Sequence, residues 1–157
     1  MAKAAAKEES KVVEMENKIE KMTKFLEENK IECFDIQKIE DEHHTTIFRS
    51  RMEVKGQLLP MALLMDDSVY MMLQVQIAPQ VIDEEKLKAL AGAINNMNNN
   101  VRPFKFTVSE RGDLMLNACI TAENNTFNPA LTNAIMAEAV KFLEVQYGNI
   151  MEAVWAK

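Results

Sequence analysis

Polar and apolar residues alternate in two of three consecutive segments near the middle of the chain, and the segment between them is an apolar run. In residues 44–54 one face is mostly apolar and the other is charged, with Phe48, Ser50, Met52 and Val54 against Arg49, Arg51 and Glu53. A period of two is typical of a half-buried β-strand. Residues 57–65 and 68–77 predict two more strands, and the short turns Lys55-Gly56 and Asp66-Asp67 join all three into an antiparallel meander.

Three other segments repeat apolar residues at spacings of three and four, which is typical of amphipathic helices. They cover residues 10–29, 83–98 and 129–155. The stripe of the first is Val12, Met15, Ile19, Met22 and Leu26, and that of the second is Leu87, Leu90, Ala91, Ile94 and Met97. The first stripe is narrow enough for coiled-coil pairing but spans only about two heptads, so we expect it to pack on a sheet.

Capping residues stand at the start of each predicted helix. Ser10, Asp83 and Asn128 each have a side-chain oxygen that can accept from the first turn. Pro129 suits the first helical position. Gly148 weakens the last helix, and we expect a bend or break there.

Residues 103–109 and 114–121 alternate again and predict a hairpin with Arg111-Gly112-Asp113 in its turn. The element order is therefore α-β-β-β-α-β-β-α, which predicts an α+β fold with an antiparallel sheet packed against helices. Residues 1–9 predict a flexible tail, and residues 10–157 predict a single domain.

The second predicted strand is apolar on both faces, which is unusual for a sheet with one covered side. Ala62 and Leu64 lie on one face, and Leu63 and Met65 lie on the other. A Leu-sized side chain left in water loses about 1.5–3 kcal/mol of the stabilisation that burial would give. We therefore expect both faces to be covered. A symmetric partner, a helix of the same chain or a client protein could cover the second face.

The third strand contributes to the same face. Tyr70 and Met72 share it with Gln74 and Gln76. Methionine is frequent in this chain and is over-used at adaptable binding surfaces. The candidate partner contacts are therefore Ala62, Leu64, Tyr70 and Met72.

Composition limits the partners. The net charge is −6 and the pI is about 5.0, without a basic stripe, so nucleic acid and anionic membranes are not expected to bind. The longest apolar run, Leu58 to Met65, is eight residues with a proline inside, while a membrane helix needs about 20. We expect a cytoplasmic protein in which Cys33 and Cys119 are free thiols.

No motif for catalysis, cofactor binding or metal binding is present in the sequence. His43-His44 is the one histidine pair, and adjacent strand residues point to opposite faces, so a solvated loop is the favoured interpretation. Neither cysteine has a base at motif spacing. The asparagines of residues 95–100 predict helix termination and side-chain bonds to the backbone rather than ligand recognition.

The element order, with Ile94-Asn95-Asn96-Met97-Asn98 leading into Phe104-Lys105-Phe106, resembles the YbjN family of bacterial sensory-transduction regulators. Gln57-Leu58-Leu59-Pro60-Met61 also looks like that family's pattern, and the resemblance covers about residues 10–155. The YbjN fold is similar to that of class I type III secretion chaperones, which are small, acidic and usually dimeric. The resemblance implies no catalytic residues.

Together these features predict a non-catalytic, protein-binding domain, chaperone-like or regulatory, that forms a homodimer and binds a segment of a partner protein without a cofactor. Two alternatives remain. One is an enzyme or small-ligand-binding protein whose site is assembled from distant residues, and the other is a structural oligomerisation unit that pairs through its first helix.

Overall fold

The computed structural model describes residues 16–156, which form three helices and six strands. In chain order these are α1 (Lys18–Glu28), β1 (Asp35–Lys38), β2 (Thr46–Val54), β3 (Gln57–Met65), β4 (Tyr70–Ala78), α2 (Glu84–Asn100), β5 (Lys105–Val108), β6 (Leu114–Thr121) and α3 (Pro129–Trp155). The predicted α+β class and antiparallel sheet are confirmed. The strand β1 is an addition that the sequence pattern does not predict.

All six strands belong to one antiparallel sheet in the order β1-β2-β3-β4-β6-β5. Strands β2 to β4 are the predicted meander, and β5 and β6 are the predicted hairpin. The pairing of β3 with β4 covers Met61–Met65, so Pro60 lies where β3 pairs with β2 alone. Proline, which has no N–H to donate, is tolerated at such a local edge.

One face of the sheet carries the buried apolar side chains, and the helices pack on it. The strand residues buried there include Phe48, Met52, Leu63, Met65, Met71, Leu73, Val75, Phe106, Leu114 and Leu116. From α3, the Thr132 hydroxyl lies 3.8 Å from the Met71 sulfur, and the Phe142 ring stacks on Phe104 at 5.4 Å between centroids. The buried apolar residues form one contiguous cluster between sheet and helices.

Helix α1 begins at Lys18, later than predicted, because Asn17 is its N-cap. The Asn17 side chain accepts a hydrogen bond from the backbone N–H of Glu20, and the Glu20 carboxylate accepts one from the backbone N–H of Asn17. This reciprocal pair marks the start of a helix, so a helix running through residues 16 and 17 is wrong. The predicted Ser10 cap, Val12, Met15 and the tail at residues 1–9 lie outside the described residues.

The apolar stripe of α1 is buried within the chain, where α1 packs mainly against α3 rather than on the sheet as predicted. Met22 and Leu26 are buried in the core of the same chain. These side chains are not free to pair with a second helix, while an oligomerisation unit built on the rest of the first helix stays a prediction.

Helix α2 is anchored by fewer side chains than predicted. Leu90 is buried and Ile94 and Met97 are half-buried, but Leu87 is 41% exposed and Ala91 is exposed. The predicted burial of Leu87 and Ala91 is therefore wrong. The physical reason is that α2 packs beside β5, a strand of only four residues that offers little surface.

The other two predicted caps are confirmed. Asp83 accepts from the backbone N–H of Lys86, and Asn128 accepts from that of Ala130. The break expected at Gly148 does not occur, and α3 continues to Trp155. Ile150, beyond the glycine, is fully buried and holds the last turns on the core.

Two turns depend on glycine. Lys55 and Gly56 both have positive φ, +50° and +77°, as two-residue hairpin turns of type I′ require. Gly112 has φ +85°, and a Cβ there would lie 2.4 Å from the carbonyl oxygen of Ile82. The Gly112 carbonyl accepts from the N–H groups of Val81 and Ile82 at 3.1 Å each, which ties the β5–β6 turn to the start of α2. Within residues 16–156, no helix has the length and apolarity needed to cross a membrane.

Candidate protein-binding face

The side of the sheet opposite the helices is here called the open face. Its residues are Asp35 and Gln37 (β1), Ile47, Arg49, Arg51 and Glu53 (β2), Leu58, Pro60, Ala62 and Leu64 (β3), Tyr70, Met72, Gln74 and Gln76 (β4), Met115, Asn117, Cys119 and Thr121 (β6), and Lys105 and Thr107 (β5). All of them are exposed or half-buried. Among the described residues, no helix covers this face.

An apolar row crosses the middle of the open face. The register places Ile47 opposite Leu64 and Leu64 opposite Met72 on three neighbouring strands. These three side chains are half-buried, and as direct cross-strand neighbours they cover part of one another. Cys119, opposite Met72 on β6, continues the row and is exposed.

The four residues predicted as partner contacts lie together on this face. Leu64 and Met72 are a direct cross-strand pair, and Ala62 and Tyr70 are each two residues away along their strands. Tyr70 is 51% exposed and Ala62 is half-buried. Their shared face is as predicted, and their contact with a partner stays a prediction.

A second, polar row runs beside the apolar row. Arg49 lies opposite Ala62, Ala62 opposite Gln74, Gln74 opposite Asn117, and Asn117 opposite Lys105. The Asn117 amide donates to the Thr107 hydroxyl at 2.6 Å. The sequence predicted that Ala62 and Gln74 share faces with the apolar residues, and the register shows that the whole row adjoins the apolar row.

A shallow depression of about 460 Å³ lies at the β1–β2–β3 end of the open face. It is lined by Arg49 and Arg51 together with Cys33, Asp35 and Pro60. Since Asp35 of β1 and Cys33 just before that strand complete the site, sequence patterns could not have found the depression. The alternation of Ile47, Arg49 and Arg51 was the one available signal.

The histidine pair lies in an exposed loop, as predicted. His44 Nδ1 is 2.6 Å from Asp67 Oδ2, and this hydrogen bond, aided by the negative charge of Asp67, raises the pKa of His44. Hydrogen bonds from the Thr45 hydroxyl and backbone N–H lower the pKa of Asp41. Within residues 16–156, His, Cys, Asp and Glu form no group of three or more suited to a metal ion.

The asparagine cluster at the end of α2 has one clearly structural member. The Asn98 amide donates to the Phe106 carbonyl at 3.0 Å, and its oxygen accepts from the Phe106 N–H at 2.7 Å. Asn98 thereby takes the place of a neighbouring strand at the outer edge of β5. The predicted bond from side chain to backbone is confirmed for this residue, whereas the predicted end of the helix at Asn98 is wrong, because α2 continues through Asn100.

Asn100 also bonds to the backbone, donating from its amide to the Asn96 carbonyl at 2.9 Å. Asn96 and Asn100 line a cavity of about 380 Å³ between α2 and α3, and Gln146 and Asn149 line its other side. No ionisable side chain lines this cavity. Sequence spacing alone could not bring the amides of the two helices together.

Comparisons of the chain with known protein families, with curated proteins and with solved structures found no match. The resemblance to the YbjN family and to type III secretion chaperones therefore stays a prediction.

Proposed function

We propose that this chain is a non-catalytic, protein-binding domain of chaperone-like or regulatory type, and that a segment of a partner protein binds on its open face. The observation that carries this proposal is the apolar row Ile47, Leu64 and Met72, flanked by Tyr70, on a sheet face that no described helix covers. Contiguous apolar surface rimmed by polar side chains is typical of interaction sites. The resemblance to the YbjN family supports the same function by analogy.

A photo-crosslinking amino acid in place of Leu64 tests the proposal in cells that produce the chain. The expected result is a covalent adduct with a second protein, identified by mass spectrometry. Glu144, exposed on α3, is the matched control position. Equal adducts at both positions, or none at Leu64, would contradict binding on the open face.

The predicted homodimer and the cytoplasmic location belong to the same proposal. A solution mass measurement at micromolar protein tests the dimer, and a monomer would remove it. The chain's location is tested by fractionating the producing cells, with a cytoplasmic fraction as the expected result.

A second candidate function follows from the amide-lined cavity between α2 and α3. Its volume of about 380 Å³ suits a small ligand, and its amides can both donate and accept hydrogen bonds. We propose an uncharged small molecule as the alternative ligand. Native mass spectrometry of the purified chain should then show an added mass that is lost in Ala93→Trp, which fills the cavity.

A further inference from the structure

The open face differs in charge from the chain as a whole. It carries three basic side chains, Arg49, Arg51 and Lys105, and two acidic ones, Asp35 and Glu53. The face is therefore net positive by one charge, whereas the whole chain has a net charge of −6. On β1 and β2 the two arginines are matched by Asp35 and Glu53, so this side of the face lacks the acidic excess of the whole chain and does not repel an acidic partner.

Both arginines are available to a partner. Within residues 16–156, neither Arg49 nor Arg51 has an acidic group within ion-pair distance. Arg49 Nε lies 3.4 Å from the Gln37 amide oxygen, a long contact with a neutral group. The guanidinium group binds carboxylates through paired N–H donors, and arginine is enriched among residues that dominate binding energy.

The spacing of the arginines matches that of an extended segment. Ile47, Arg49 and Arg51 follow one another at every second residue of β2, so their side chains are about 6.4–6.8 Å apart. An extended segment lying along β2 presents its own side chains to the sheet at the same repeat. One aliphatic residue could then contact Ile47 and Leu64 while acidic residues two and four positions away reach Arg49 and Arg51.

We propose that the open face binds an extended protein segment in which an aliphatic residue is followed, at every second position, by two acidic residues. This inference rests on the proposed function and adds the chemistry of the partner. A second copy of this chain fits less well, because its open face carries three basic side chains and only two acidic ones.

Fluorescence anisotropy with the full chain and three synthetic probes tests the inference. The acidic probe is Leu-Ser-Asp-Ser-Asp-Ser, and the matched probes carry Asn or Lys at both Asp positions. We expect the acidic probe to bind about tenfold more tightly than the Asn probe, as two exposed ion pairs allow, and the advantage to shrink at high salt.

Variants then assign the effect to the arginines. Arg49→Gln with Arg51→Gln should remove the tenfold advantage, whereas Lys88→Gln with Arg102→Gln, which changes the net charge equally at exposed positions off this face, should keep it. Equal binding of the acidic and Asn probes, or equal effects of the two double variants, would overturn the inference.

The remaining outcomes separate this inference from the proposed function. If the Asn probe bound tightly and Leu64→Asp abolished that binding, the open face would still be a protein-binding face. Its preference for acidic segments would be overturned. Absence of binding by all probes up to about 1 mM would also overturn the inference, since that affinity is the weak limit of specific recognition. The proposed function would then be judged by the Leu64 crosslink. If the double variant Arg49→Gln with Arg51→Gln changed the solution mass of the chain, the occupant of the open face would be a second copy. That result would also overturn the inference of an acidic segment.

Discussion

Lys18 is the one lysine among residues 16–156 that is buried, with 2% of its surface exposed. Its ammonium donates to the carbonyls of Ser68 at 2.5 Å and Tyr70 at 2.9 Å, which fastens α1 to the start of β4. Burial lowers the pKa of Lys18, while the nearby carboxylates of Asp66 and Asp67 oppose that shift. A lysine with two carbonyl partners and acidic neighbours remains tolerable in such a place because its donors are satisfied.

Replacing Lys18 by Ala should lower the free energy of unfolding by about 2–3 kcal/mol, because the buried stem and two charged hydrogen bonds are lost. Lys18→Met keeps most of the stem and should lose less. Urea denaturation measures both. Lys24→Ala, at an exposed position of the same helix, is the control, and a loss in it as large as in Lys18→Ala would contradict the assigned role.

The His44–Asp67 contact predicts a pH dependence. The pKa of His44 in the folded chain is raised above its usual value of about 6.5. The protonated His44 therefore contributes fully to stability at a pH below about 6.5. The contribution is lost as the pH rises through the raised folded-state value. The stability difference between the native chain and His44→Gln should therefore be larger at acidic than at alkaline pH.

Denaturant midpoints of both chains at about pH 5.5 and 8.5, on either side of the usual histidine range, measure this difference. In an Asp67→Asn background His44 loses its partner, and the pH dependence of the difference should shrink. A difference that is unchanged by Asp67→Asn would assign the effect to another group.

At the scale of the elements, Asn98 closes the edge of the sheet at β5. Exposed strand edges are sites of pairing with other chains, and proteins commonly block them. Here one side chain of α2 supplies both the donor and the acceptor that the outward-facing Phe106 backbone requires. The same two bonds hold α2, whose apolar anchorage is slight, against the sheet.

Asn98→Ala should lower the free energy of unfolding by about 1–3 kcal/mol, because both Phe106 backbone groups lose their partner. Hydrogen exchange of the Phe106 amide should accelerate as well. Asn95→Ala, at an exposed position of the same helix, should change stability by about 0.5 kcal/mol or less. Unchanged exchange at Phe106 in Asn98→Ala would exclude the edge-closing role.

At the scale of the whole molecule, the sheet separates stability from binding. Its helix-covered face holds the core, whereas its open face contributes side chains that are half-buried at most. Neighbouring residues of one strand therefore have different tasks. Leu63 is fully buried, and Leu64 beside it lies on the open face.

Leu63→Asp should unfold the chain. The cost of burying an unpaired charge, together with the lost packing of Leu63, exceeds a typical free energy of unfolding of about 5–15 kcal/mol. Leu64→Asp should leave the chain folded and lower its melting temperature by only about 2–4 °C per kcal/mol lost. Circular dichroism during heating measures both. Unfolding by both substitutions to the same extent would mean that Leu64 is sheltered and that the face is not open.

The sequence by itself determined the class of most elements, because their signals are local. Alternation identified β2, β4, β5 and β6, and an apolar run between two turns identified β3. Because successive side chains of a strand point to opposite faces, the sequence also showed which side chains share a face, including the four candidate contacts. The helix caps Asp83 and Asn128 and the turn at Lys55-Gly56 were also readable, since each depends on a few adjacent residues.

The features that depend on residues far apart in the chain were decided only by the tertiary structure. Strand β1 has no apolar alternation and forms because β2 offers it backbone partners. The register placed Arg49 beside Ala62. The role of Asn98 depends on its hydrogen bond with Phe106, in a strand that follows it in the chain. Above all, the described helices lie on one side of the sheet. A strand's sequence shows that both of its faces are apolar, but which face is covered depends on where distant helices pack.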